Sequence, residues 1–437
     1  MNALEESLTS SADRAGAANG SVPGVPAAET DVPKLGIATS AAARGVSKLL
    51  KMFGTPPFEF ALWNGERILP EGRNPIARIT IRDRKVLLGL LSNPGVRFGD
   101  AYSEGRVDIE GDLVHFMEEV YRGSSRAEKQ KSIFNLVNRL MNRPRVRVNT
   151  LAGSKDNIHH HYDIGNDFYS LWLGRTMAYT CAYYPTPETT LDDAQDAKMH
   201  HVCRKLRLRP GERVAEAGFG WGRLAVHMAR HYGVKVRAFN ISKEQVAFAR
   251  AYAKSQGLES QIEYVEDDYR NISGNFDAFV SVGMLEHVGV ENFRQLGKVA
   301  KGVLGDNGRG LIHTIGRNYP AQLHPWIEQR IFPGACPPSL AEMTQIFEPW
   351  DLSVLDVENL RLHYARTLMD WLGLFEANVD RVRGMFDEKF VRMWRLYLAG
   401  SAAAFTTGTL QLFQVLFATS QNNNVPMTRD HLYQPQA

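Results

Sequence analysis

Residues 212–224 read ERVAEAGFGWGRL. A short apolar run, Arg213–Ala215, leads into Glu216-Ala217-Gly218-Phe219-Gly220-Trp221-Gly222, and helical periodicity resumes over Leu224–His231. The expectation is a strand, a glycine turn and a helix in succession. Glycines there let the backbone turn tightly and approach a ligand, while the helix N-terminus offers N–H donors. A helix–strand packing turn yields the same string, so the loop acquires meaning only from its surroundings.

Those surroundings repeat the pattern. VKVRAFN (234–240), IEYVEDD (262–268), DAFVSVG (277–283) and GLIHTIG (310–316) are short apolar runs, each ending in Gly, Asn or acidic residues. Stretches between them, such as EQVAFARAYAKSQG (244–257), have helical period. Alternation of this kind predicts an α/β fold, a parallel sheet flanked by helices. LQLFQVLFA (410–418) is expected to add one more strand after a helix. Ligands in such sheets bind outside the carboxyl ends of the strands. Phe239-Asn240-Ile241-Ser242 and Glu266-Asp267-Asp268-Tyr269 end the second and third strands, so they should share a crevice with the glycine loop. A dinucleotide fingerprint is G-x-G-x-x-G with a carboxylate after the second strand. Here the spacing is G-x-G-x-G and the second strand ends in Asn240, which points to a nucleoside without pyrophosphate, such as S-adenosylmethionine.

Ahead of this region, residues 1–34 are rich in Ala, Ser, Gly and Pro and are expected to form a disordered tail. Residues 35–150 form a smaller α+β domain in this reading, with a helix carrying Val46, Leu49, Leu50 and Phe53, a strand in ARITIRD (77–83) and a helix around LVHFMEEVY (113–121). Residues 151–437 are expected to form the second, ligand-binding α/β domain. Between 126 and 147, Arg126, Lys129, Lys131, Arg139, Arg143, Arg145 and Arg147 face one acid, Glu128, beside an apolar stripe of Ile133, Leu136, Val137, Leu140 and Met141. A basic amphipathic helix suits an anionic membrane surface, and equally an inter-domain position with solvated charges.

Over all 437 residues, 51 Lys+Arg balance 48 Asp+Glu for a net charge of +3, too even for a nucleic-acid binder. Neither an NPPY-type nor a PC-type nucleic-acid methyltransferase motif is present. The three cysteines, Cys181, Cys203 and Cys336, contain no CxxC pair, and the histidines at 159–161 have no second cluster, so no metal site is expected. Without a secretory pattern at the start or a long apolar span, a cytoplasmic location is expected.

HHYDIGNDFYSLWL (160–173), MAYTCAYY (177–184), EAGFGWGRLA (216–225), NISKEQ (240–245), VGMLEHVG (282–289), IHTIGRN (312–318) and RLHYARTL (361–368) occur in one order. This series resembles cyclopropane-fatty-acyl-phospholipid synthases and mycolic-acid methyltransferases. FGDAYSEGRVDI (98–109) resembles the amino-terminal domain of the phospholipid-acting branch. The resemblance implies a class I methyltransferase fold, with a Rossmann-like, mostly parallel seven-stranded sheet. It implies methyl transfer from S-adenosylmethionine to the cis double bond of a phospholipid acyl chain, with loss of a proton closing a cyclopropane ring. It further implies a bound bicarbonate as base, with Cys181, Glu286, His313, Ile315 and Tyr364 around it. The implied cofactor contacts are Tyr179, Thr180, Gly218, Gly220, Gly222, Asn240, Ile241 and Gln245, and the strand end adds Asp268 and Tyr269. Membrane phospholipids, peripheral contact with the inner face of the cell membrane and a homodimer complete the expectation.

Two positions depart from the family pattern. Phe219 replaces a Cys in the glycine loop and must point into the sheet core or across the cofactor. Ser401 in GSAAAF stands where many relatives have a Cys, so no thiol nucleophile is available there. An acyl C-methyltransferase giving a methyl-branched chain and a non-catalytic lipid-binding paralogue remain as alternatives.

Overall fold

The computed structural model describes residues 40–70, 72–130 and 164–433, with 125–130 as backbone only. The tail expected over 1–34, the apolar stripe at 133–141 and the histidines at 159–161 lie outside these residues. The chain opens with helix α1 (Ala41–Met52), strands β1 (Phe58–Leu62), β2 (Arg67–Ile68) and β3 (Ala77–Ile81), and helices α2 (Arg84–Ser92) and α3 (Pro94–Ser103). Strand β4 (Val107–Glu110) and helix α4 (Leu113–Gln130) follow. The sheet order is β2-β1-β3-β4, with β1 and β3 parallel and the outer pairings antiparallel. Local chemistry sets these helix starts: Ser40 accepts from Ala43 N–H, Asp83 from Val86 N–H, and Asn93 from Val96 N–H ahead of Pro94. The apolar stripe of α1, with Ala43, Val46 and Leu49 buried, packs with Phe58, Phe60, Ile79, Leu87 and Phe116 into one core.

The second region contains short helix α5 (Asn166–Ser170) and helix α6 (Leu191–Leu206), then β5 (Arg213–Ala217), α7 (Arg223–Tyr232), β6 (Lys235–Asn240), α8 (Lys243–Ser255), β7 (Ile262–Glu266) and β8 (Phe276–Val282). It continues with α9 (Phe293–Val303), β9 (Leu304–Gly316), α10 (Pro325–Arg330), α11 (Leu340–Phe347) and β10 (Leu352–Asn359). Helices α12 (Arg361–Ala377), α13 (Val379–Met385) and α14 (Glu388–Thr406) precede β11 (Gln411–Thr419). The seven strands lie in the order β10-β11-β9-β8-β5-β6-β7. All neighbours are parallel except β11, antiparallel to both β9 and β10. The sequence direction along the sheet reverses between β5 and β8, the switch point where a doubly wound sheet opens its crevice. Each expected strand is present, including the last.

The two sheets belong to one compact unit over Thr39–Ala437. Arg392 on α14 donates to the carbonyls of Tyr102 and Val107 and pairs with Asp108, while Arg330 grips Asp100 through two bonds of 3.0 Å. Gly99 on α3 is the point of closest approach: a Cβ there would meet the Trp326 ring at 2.4 Å. No helix among the described residues is long and apolar enough to cross a membrane. Gly99→Val should therefore overpack this junction and lower stability by about 1–3 kcal/mol, read as a reduced urea midpoint at unchanged m-value.

Candidate active site

The glycine loop lies at the switch point with every glycine in positive φ: Gly218 at 80°, Gly220 at 54° and Gly222 at 78°. Side chains of other residue types rarely adopt that conformation. The crevice above it is lined by Tyr179, Thr180, Gly218, Gly220, Asn240, Ile241, Gln245, Asp268 and Tyr269, as expected for a shared pocket. Gly222 is the exception. It begins α7, and a Cβ there would strike the Tyr264 hydroxyl at 2.5 Å and Ala249 at 2.7 Å, so it serves helix packing and stands outside the crevice lining. Phe219 turns inward and packs on Tyr264, ring centroids 4.7 Å apart, becoming part of the sheet core while its edge lines the pocket.

Sequence reasoning missed the floor of this crevice. Glu216, at the end of β5, is buried with Oε2 lacking a hydrogen-bond partner, and burial pushes its carboxyl up to about 8. Lys198 on α6, likewise buried and pushed down to about 8 by desolvation, donates to Thr180 Oγ1 at 3.0 Å. Both groups move toward their neutral forms, as burial requires. Tyr269 Oη is also buried and unpartnered. Unsatisfied polar atoms on a pocket floor fit a bound molecule carrying both donors and acceptors, such as a nucleoside with an amino-acid tail. Lys198 was hidden in the sequence because a helical lysine carries no sign of facing inward.

The segment 177–184 separates this crevice from a second, larger cavity of about 1450 Å3. Gln195 on α6 donates to the carbonyls of Ala178 and Thr180, and from α12 Thr367 accepts from Ala182 N–H and His363 from Tyr184 N–H. The segment is thus held from both sides. Tyr179, Thr180, Gly283 and His287 line both spaces, so a group reaching through from the crevice meets the cavity here.

Cys181, Glu286, His313, Ile315 and Tyr364 all line the larger cavity. Glu286 is buried; its Oε1 accepts from Ile315 N–H at 2.6 Å while Oε2 has no partner. Desolvation raises its carboxyl to about 7 against the pull of that N–H. Ile315 N–H, anticipated as a donor to a bound anion, is instead occupied in holding Glu286. Gln414 Nε2 lies 3.0 Å from His313 Nδ1, and because an amide nitrogen only donates, the ring proton resides on Nε2, a buried atom without a partner. Desolvation pushes His313 down to about 3, which keeps the ring neutral. The antiparallel register sets Gln414 directly opposite His313. Cys181 Sγ donates to the Ala182 carbonyl at 3.1 Å, and burial pushes its thiol well up, so it stays protonated. Tyr364 packs against Trp371 and Phe405. Ser401 is in the wall. The rest of the lining is largely apolar and draws on both regions, including Phe53, Phe58 and Met117 from the first and Trp326, Phe332 and Tyr397 from the second.

The arrangement is a largely apolar cavity with one buried acid, one N–H donor on His313, and aromatic faces able to stabilise a cation. Among the described residues no group of side chains is set to hold a metal ion.

Comparison with known proteins agrees with this geometry. Residues 150–415 match the family model described as mycolic acid cyclopropane synthetase, and residues 46–132 match one described only as a domain of unknown function. The chain is 35% identical over 392 residues to a probable fatty acid methyltransferase of Pseudomonas putida, covering 86% of this chain and 96% of that one. It is 39% identical over 270 residues to the cyclopropane-fatty-acyl-phospholipid synthase of Escherichia coli K12, covering 62% of this chain and 69% of the relative. The solved structure of mycolic acid cyclopropane synthase CmaA1 complexed with SAH and CTAB superimposes with a TM-score of 0.58 at 28% identity, covering 61% of this chain and 98% of that one. With its seven-stranded sheet, glycine crevice and adjoining apolar cavity, the chain belongs to the mycolic acid cyclopropane synthetase family and is an S-adenosylmethionine-dependent methyltransferase of class I fold.

Proposed function

We propose that the protein transfers the methyl carbon of S-adenosylmethionine to the cis double bond of an unsaturated phospholipid acyl chain, and that bicarbonate-assisted proton removal closes a cyclopropane ring. The observation that carries this is the pairing of two unpartnered polar atoms, Glu286 Oε2 and His313 Nε2, within an apolar cavity adjoining the cofactor crevice. S-adenosylmethionine supplies an electrophilic methyl group, which an alkene attacks only where water is excluded. Tyr179, Thr180, Gly218, Gly220, Asn240, Ile241, Gln245, Asp268 and Tyr269 hold it in this reading. The donor set also fits a small oxyanion: His313 Nε2–H would donate to it, Glu286 would take its proton onward, and Tyr364 and Cys181 would close the wall. Cys181 as a neutral thiol and Ser401 as a hydroxyl offer no strong nucleophile to trap a cation.

The reading extends to reversible contact with the inner face of the cell membrane and to a homodimer in the cytoplasm. Its support is the phospholipid in the name of the Escherichia coli relative. A methyl-branched product is the second reading, favoured by the fatty acid methyltransferase of Pseudomonas putida, which matches this chain over nearly its whole length.

Mass spectrometry of phospholipid acyl chains after incubation with S-adenosylmethionine decides between them. Ring closure adds CH2 and leaves a product with ring fragmentation and no alkene to hydrogenate; a saturated branched chain, or one that still hydrogenates, would refute it. Because Glu286 must be ionised to accept a proton, kcat should rise with pH through about 7. Glu286→Gln should lower kcat by roughly 10²–10⁴-fold and abolish that limb while S-adenosylmethionine binding by calorimetry is retained. Gln414→Leu frees the His313 tautomer, and a fall of about 10-fold or more in kcat with unchanged cofactor affinity is expected.

A further inference from the structure

Arg317 follows β9 directly, in the IHTIGRN stretch that also carries His313 and Ile315. Strand residues at i, i+2 and i+4 share one face, and His313, Ile315 and Arg317 all line the larger cavity. The guanidinium is half-buried, its Nε is buried without a hydrogen-bond partner, and no carboxylate among the described residues stands within ion-pair distance. The nearby acid, Glu342, is committed elsewhere: it accepts from Ser339 N–H at 2.8 Å and Ser339 Oγ at 2.9 Å, closing the capping box of α11. The other groups whose fields reach Arg317 are Tyr121, Tyr319, Cys336 and His324. A half-buried cation without a counter-ion is poorly solvated, and an anion entering the cavity would relieve that cost.

The surroundings say which anion. Asn318, Tyr319, Gln322 and His324 are polar or amphipathic lining residues on the same stretch, and Tyr319 is 59% exposed. Beyond them the lining is largely apolar, with Glu286 and His313 as its buried polar groups. We infer that Arg317 binds the phosphodiester of the substrate's glycerophosphate headgroup and so sets how deep the acyl chain enters; this rests on the phospholipid reading above. Four residues of extended backbone separate the Cα atoms of Arg317 and His313 by about 13 Å. One leaflet's hydrocarbon is about 15 Å deep, which leaves a mid-chain double bond on the order of 10 Å from the headgroup level. The reach matches. The same charge chemistry occurs in the phosphates of an acyl-coenzyme A, but there a long pantetheine arm separates phosphate from acyl chain, which this spacing does not accommodate.

The test compares kcat/KM for methyl transfer to dioleoylphosphatidylglycerol vesicles, to dioleoylglycerol in matched dispersions, and to oleoyl-coenzyme A. The wild-type protein should prefer the phospholipid over both. Arg317→Gln should reduce the preference over dioleoylglycerol by about 10- to 100-fold, chiefly through KM, the scale of a charge-assisted bidentate contact. Arg317→Lys should restore part of it, and thermal unfolding of Arg317→Gln should be unchanged or raised, since an unpaired charge is removed. Equal losses on phospholipid and dioleoylglycerol, a lowered melting temperature, or a preference for the coenzyme A ester would overturn the assignment. If the wild-type protein methylates both glycerolipids equally, the headgroup contact falls while acyl methylation stands. If it methylates no lipid, the phospholipid reading fails and this inference falls with it.

Discussion

A carboxylic acid surrounded by apolar side chains is unstable as an anion unless something donates to it, and the chamber is arranged around that constraint at Glu286. The backbone N–H of Ile315 supplies one donor, on the strand that also presents His313. Desolvation, opposed by the Ile315 N–H and more weakly by its own backbone N–H and Thr314, leaves Glu286 poised near neutrality, able to take or release a proton without a large penalty either way. The remaining polar atoms are handled just as narrowly. His313 is kept neutral with its donor facing the cavity by an amide from β11, and Cys181 is kept as a thiol by burial.

The cofactor side follows the same economy. Lys198 reaches Thr180, and Gln195 binds the carbonyls on either side of Tyr179, so α6 determines where the wall between crevice and cavity stands. A wall tied through backbone atoms tolerates side-chain change better than one held by packing alone. In the glycine loop, Phe219 settles against Tyr264 beneath the pocket, so a large aromatic there leaves the loop's positive-φ path intact.

Much of this was legible in the order of residues. Strand–loop–helix alternation identified the sheet, including β11, and the glycine loop with Asn240 and Asp268 identified the crevice, because periodicity and turn chemistry are local properties. Gly222 was grouped with the cofactor contacts on the family pattern, whereas its requirement is the space taken by Tyr264, a residue 42 positions away. Gln414 was invisible as a partner of His313: only the antiparallel register of β9 and β11 brings them opposite, and nothing within LQLFQVLFA announces that register. Ile315 was located correctly, but what its N–H does depends on where Glu286 points. Polar residues in buried strands derive their roles from neighbours distant in the chain, and that is where reading by spacing ends.

The wall of the large cavity belongs to two pieces of the chain whose cores meet through Tyr102, Phe98, Leu113 and Met117 and press closest where Gly99 faces Trp326. Reacting groups come from one piece, while Phe53, Phe58, Phe60 and Ile79 come from the other. Selection on the far wall can then retune which guests fit, by length or bulk, without touching a single proton-handling atom.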